Sequence, residues 1–149
     1  MKLRRRCADL DVFWERHANP KSGWSRLLTM PLLLAAAYTR DRRLLTVALG
    51  WTVVNPVAFS RVDRDPEADT AWMTRVVDAE RAWLREEVTP GPWDRLNAVS
   101  GPVSAYALYA AYRRRPGRAA LAGALSMALK LAFVWGLERR WRVGTAEES

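Results

Sequence analysis

Apolar and charged residues fall in long separate blocks along the chain. Four stretches carry almost no charge: Leu27 to Thr39, Leu44 to Ser60, Leu96 to Tyr112, and Ala119 to Leu137, the last interrupted only by Lys130. Each is apolar on all sides, without the polar stripe that a water-facing helix needs, so each predicts a helix surrounded by lipid. Length strains this expectation, because a spanning helix needs ~20 mostly apolar residues and a run of ~10–14 is more often a core or re-entrant segment. The first run has 13 uncharged residues and needs Trp24, Ser25 and a snorkelling Arg26 to extend it. A pair of shallowly inserted hairpins is the alternative.

The connections inside each pair of runs are short and basic. Arg40-Asp41-Arg42-Arg43 joins the first two, and Arg113-Arg114-Arg115-Pro116-Gly117-Arg118 joins the last two. Links of this length force antiparallel neighbours, and Pro116-Gly117 is itself a turn signal. The expected fold is therefore all-α, with four transmembrane helices as two helical hairpins, each preceded by an amphipathic arm.

A repeat supports that plan. Trp14, Arg16, Trp24, Arg26 and Leu27 recur as Trp83, Arg85, Trp93, Arg95 and Leu96 at a constant offset of 69 residues. Such pairs of tryptophan and arginine suit interface anchors, because the indole is apolar with a polar N–H and arginine reaches the head groups. Core aromatics of a soluble bundle are the competing explanation. The repeat divides one domain, residues 1–149, into half-units of roughly 1–61 and 70–142, related as parallel copies about an axis along the membrane normal.

The arms carry the first candidate chemistry. From Thr70 to Glu87, at 100° per residue, Trp72, Met73, Val76, Val77, Ala79, Trp83 and Leu84 share one arc, and Thr74, Arg75, Asp78, Arg81 and Arg85 the other. Asp63, Asp65, Pro66 and Asp69 precede this helix with capping chemistry. Glu80 lies near the centre of the apolar arc, where a carboxylate is protonated, meets a cation, or reaches water at an interface. In the N-terminal arm Leu3, Cys7, Leu10, Trp14 and His17 share a face, which places the only histidine on the apolar side, as a hydrogen-bonded structural residue rather than a ligand.

Lys130 is the other costly group, since an ionisable residue inside an apolar run faces a bundle interior, a cavity or a partner unless it snorkels. Equal distances from the turns place Asn55, Ser100 and roughly Thr29 at its depth, with Ser126 one turn before it. A polar layer of Lys130, Asn55, Ser100, Glu80 and His17 results, in which Glu80 is expected to pair with Lys130 or an arm arginine. Small residues from Ser100 to Ala111 and from Ala119 to Ala128 permit close packing, within the chain or in a homo-oligomer.

Composition limits the remaining choices. The net charge is +8, and the basic residues are all arginine except Lys2, Lys21 and Lys130. Anionic lipid head groups suit that balance. Nucleic acid does not, because the arginines sit among acids and at turns instead of lining one helix face. Lone Cys7 excludes an internal disulfide or a cysteine zinc site. The basic start, Lys2 to Arg6, lacks the apolar core of a cleaved signal, because Asp9, Asp11 and Glu15 follow. The positive-inside rule, applied to Lys2 to Arg6 with Arg139, Arg140 and Arg142 against the arginine turns, places both termini in the cytoplasm of a multi-pass cell-membrane protein. There is no phosphate loop, nucleophile elbow or acidic metal cluster, so no metal and no cofactor is expected, and catalytic residues stay unassigned.

His17-Ala18-Asn19-Pro20 with Trp24-Ser25-Arg26, Asn55-Pro56 with Phe59, Glu80-Arg81 with Trp83-Leu84, Leu96-Asn97, and Lys130-Leu131 with Phe133 together resemble a family of small prokaryotic multi-pass membrane proteins classed as a domain of unknown function. The resemblance implies a membrane-embedded helical fold and supplies no activity. The family pattern has an aspartate just after Lys-Leu-x-Phe, whereas Trp135-Gly136 stands here and the nearest acid is Glu138, which points Lys130 to a more distant partner. The expected function is a non-enzymatic integral membrane protein that engages lipid or a protein. The alternatives are a small transporter or membrane-embedded enzyme using the layer around Lys130, with substrate unknown, and a soluble basic bundle that binds nucleic acid.

Overall fold

The computed structural model describes residues 11–64 and 70–147, all of whose regular structure is helical. Two short helices, α1 (Asp11–His17) and α2 (Pro20–Ser25), lead through a 3-10 turn (Arg26–Leu28) into α3 (Thr29–Thr39) and α4 (Arg42–Ala58). Then come α5 (Trp72–Leu84), a second 3-10 turn (Gly91–Trp93), α6 (Asp94–Tyr112) and the long α7 (Pro116–Glu147). Local chemistry sets several boundaries. Asn19 Oδ1 accepts from the Lys21 amide at 2.9 Å while Pro20 takes the first helical position, where its missing N–H costs nothing. Asp41 Oδ1 caps α4 by accepting from the Arg43 and Leu44 amides at 2.8 and 3.2 Å. Arg40, left-handed at φ 56°, ends α3.

Helix α7 is the spine. It packs most extensively on α6, and α5 and α3 also lie against it. The main core lies between α5 and α7, where Met73, Val76 and Ala79 meet Phe133, Val134 and Leu137, with Trp83 edge-on to Phe133 at 5.5 Å between centroids. A second cluster joins Trp14 and Ala18 to Val77, and a third joins Ala110, Ala111 and Ala119 beneath Leu34 and Ala37. Gly136 is required here, since a Cβ would run into the Trp93 ring. The two arginine turns brace each other at one end: Arg40 lies 4.5 Å from the Tyr112 ring and donates to the Tyr112 carbonyl at 3.3 Å, and Arg114 lies 5.3 Å from the Tyr38 ring.

Four transmembrane helices in two hairpins are not what the structure contains. Among the described residues, only the segment Pro116–Ala146 of α7 is long and apolar enough to cross a membrane, with a mean hydropathy of 1.7 in its best window. Helix α3 has 11 residues and spans ~16 Å at 1.5 Å per residue, about half of a ~30 Å hydrocarbon core. Helix α4, with 17 residues, falls short of the same requirement, and α6 has the length, at 19, but Asn97, Ser100, Gly101 and Ser104 dilute its apolarity. A multi-pass topology, and the parallel arrangement of spanning hairpins that went with it, therefore has no support. Apolar blocks ended at turns as expected, but the helices between those turns are too short or too mixed.

The amphipathic helix expected over Thr70 to Glu87 is the shorter α5, and its apolar arc faces inward. Thr74 departs from the pattern: it is buried and donates to the Ala18 carbonyl at 2.9 Å, so its hydroxyl is satisfied inside. Leu3, Cys7 and Leu10, the basic cluster Lys2 to Arg6, and Asp65, Pro66 and Asp69 lie outside the described residues.

Candidate functional site: a polar-floored cavity beside the long helix

Between the α2 end, α3, α5, α6 and α7 lies a cavity of about 370 Å³, within the ~300–1,000 Å³ common for ligand pockets. Leu27, Met30, Leu33, Met73, Val76, Met127, Leu131 and Val134 make it mostly apolar. Its polar groups are few and converge: Arg26, Glu80, Lys130, Thr29, Ser100, Ser104 and Ser126. Gly23 lets the walls close, since a Cβ there would collide with Met73.

Each polar group is positioned by an identifiable contact. Lys130, at the accessible edge, donates to Asn97 Oδ1 at 2.9 Å and lies 4.9 Å from the Phe133 ring, which leaves two of its three ammonium donors uncommitted. Ser126 donates to the Ser100 carbonyl at 3.3 Å and shares a short hydroxyl contact with Ser104, so α6 and α7 present their serines side by side. Arg26, carried on the 3-10 turn, donates from Nη1 to His17 Nε2 at 2.7 Å. A guanidinium has no acceptor, so His17 must accept at Nε2 and carry its proton on Nδ1. Nδ1 is buried and has no partner.

Burial, with the positive charge of Arg26 second, pushes His17 down to about 3, so the ring is neutral at physiological pH. Burial likewise lowers the Arg26 guanidinium, opposed by Glu80, yet arginine keeps its charge. Burial pushes the Glu80 carboxyl above the ordinary carboxylate range, against the pull of Arg26 and then Lys130. The Glu80 carboxylate makes no hydrogen bond or ion pair with any described residue. It sits half-buried in the cavity wall, with both cations near enough to act on its charge.

Of the residues singled out from sequence, Glu80, Lys130 and Ser100 thus meet in one cavity. His17 stands behind it, stacked on Phe13 at 5.3 Å, and reaches it only through Arg26. Asn55 is elsewhere: fully buried in α4, it accepts from Ser22 Oγ at 2.9 Å and donates to Ser25 Oγ at 2.7 Å, fastening α2 to α4. Glu138, the acid nearest Lys130 in sequence, accepts instead from Arg75 Nε at 2.9 Å and Arg142 Nε at 3.0 Å.

The residues expected as interface anchors occupy varied surroundings. Trp14 is buried and Trp83 packs on the core, while Trp24 is half-exposed against Trp72 at 5.8 Å and Trp93 packs edge-on to Trp135 at 5.5 Å. Arg16 donates to the Val57 carbonyl at 3.0 Å, Arg85 is partly buried and Arg95 is exposed. Arg26, expected as an interface anchor, lines the cavity, and its company with His17 in the same short segment is the sequence signal for that place. No group of three or more potential metal ligands occurs among the described residues.

These features define a small protein whose described residues are all-helical, with one helix among them suited to a membrane and an amphipathic cavity beside it. The chain belongs to Family of unknown function (DUF6653), whose model matches residues 8–133. No curated protein and no solved structure matches it.

Proposed function

We propose that this is a membrane-associated binding protein, not an enzyme, that holds a small amphipathic molecule drawn from the lipid around it. The cavity carries this reading: apolar walls converge on a few charged groups, and the Glu80 side chain lines the space with no hydrogen-bond or ion-pair partner among the described residues. The outer surface supports it. Leu121 and Leu125 on α7 are 74% and 50% exposed, and Val47, Leu49, Val53, Val54 and Val57 on α4 are also exposed, so both helices turn large apolar side chains outward. Lipid covers such a surface at no desolvation cost, and the net charge of +8 favours anionic head groups beside it.

Carbonate washing of membranes from cells that express the full chain tests the first half: the protein stays in the pellet, and release into the supernatant removes the membrane assignment. A neutral fluorescent monoacylglycerol tests the second. It binds the purified protein saturably at one site, and Ser104→Phe, which fills the cavity, abolishes that binding. Equal binding to both proteins would remove the cavity from the function.

A further inference from the structure

The head group that the cavity selects follows from the donors it leaves free. Arg26 commits one N–H to His17 and Lys130 commits one to Asn97, and neither makes an ion pair with a described residue. A guanidinium carries five donors and an ammonium three, so both retain several directed at no protein acceptor. The two cations come from different elements, the 3-10 turn before α3 and the middle of α7, and both border the same space as Glu80. Paired with a carboxylate inside the protein they would form a closed ion-pair network, as Arg75 and Arg142 do around Glu138. No such pair forms among the described residues, so the partly buried Arg26 and the exposed Lys130 keep donors available to an anion that enters the cavity.

We infer that the cavity binds a single-chain amphiphile with a small anionic head group, a carboxylate or a phosphate, clamped between Arg26 and Lys130. This rests on the binding function proposed above and names its ligand class. The remaining contacts fit that class. Ser100, Ser104 and Ser126 commit their hydroxyl protons to the Asn97 and Ser100 carbonyls and leave the anion to the two cations, while Met30, Leu33, Met127 and Leu131 give apolar surface for an acyl chain. The volume of about 370 Å³, near the lower limit of ~300 Å³ for ligand pockets, suits one acyl chain better than two. A cationic amphiphile would meet two like charges for one acid.

Native mass spectrometry of the full chain, released from micelles of a non-ionic detergent, tests this with four probes that share an acyl-like tail: palmitate, palmitoyl lysophosphatidate, monopalmitoylglycerol and sphingosine. Palmitate or lysophosphatidate binds at least about tenfold more tightly than the neutral and cationic probes, the scale of one charge-assisted hydrogen bond. Preference for palmitate assigns a carboxylate head, and preference for lysophosphatidate a phosphate. Lys130→Met, a change at the accessible edge, and Arg26→Met each weaken the anionic probe about ten- to hundredfold and leave the neutral probe unchanged. Glu80→Gln, which keeps a donor and removes all negative charge, tightens anion binding about severalfold at pH 7.5. Equal affinity for all four probes, a preference for sphingosine, or anion binding indifferent to Lys130→Met and Arg26→Met would overturn the anionic assignment while leaving the cavity a binding site. Failure of every probe to bind would instead overturn the binding function.

Discussion

Lowering the pH should loosen this protein through one residue, His17. Its ring is 9% exposed and its Nε2 accepts from Arg26 at 2.7 Å, so a proton added there would meet both a buried setting and a guanidinium. The folded-state value is about 3 against an ordinary 6.5. A depressed value means that the unfolded chain binds the proton first. The stability that neutral His17 contributes is therefore fully present above 6.5 and is lost progressively as the pH falls towards 3. A pH of 5 lies 1.5 units below the ordinary 6.5 of the unfolded histidine, and at 1.36 kcal/mol per unit this costs about 2 kcal/mol relative to pH 7.5. Glu80 acts in the opposite sense, since a raised carboxyl loses stability as the pH rises through its folded value. Wild type must therefore be compared with His17→Gln, which keeps an acceptor for Arg26 and removes the titration. Urea unfolding followed by tryptophan fluorescence in one detergent, at pH 7.5 and pH 5, should show the wild type losing about 2 kcal/mol more than the variant. Identical pH dependence for the two proteins would refute the neutral, Arg26-capped His17.

Other perturbations separate the fold from the site. Asn55→Leu strands Ser22 and Ser25 in a buried junction and should lower stability by about 2–3 kcal/mol, read by the same unfolding assay, without changing acyl-probe affinity. Gly136→Val drives a side chain into the Trp93 ring and should cost about 1–3 kcal/mol, with a shifted tryptophan emission as α7 and the second 3-10 turn separate. Glu138→Gln leaves Arg75 and Arg142 facing each other around a neutral amide. Both arginines are partly exposed, so a loss of only about 1–2 kcal/mol is expected, diminishing in high salt.

The sequence made the helical class and the inward face of α5 legible, because a 3.6-residue period concentrates Met73, Val76, Val77 and Ala79 on one side. It also marked Glu80 and Lys130, because a charge among apolar residues must be compensated wherever the chain puts it. Asn55 misled for a geometric reason. Counting residues from a turn measures depth along a helix axis but not direction around it, and Asn55 points towards α2 instead of α7. Arg26 was obscured by the 69-residue repeat, which aligned it with the exposed Arg95 and made both look like anchors. Helix lengths were overestimated for a similar reason: an uncharged run shows where charge is absent, whereas a membrane span also needs about 20 helical residues of sustained apolarity. The Arg26 to Leu28 turn shortens the first run, and α7 alone meets both conditions.

The most direct test is to extract the full chain from its membrane into polymer-bounded lipid discs without detergent and count the single-chain amphiphiles that accompany each protein. Wild type should retain about one per chain and Ser104→Phe none, as a single binding site in the cavity requires. Wild type that carries no more than the cavity-filled variant would contradict the binding function.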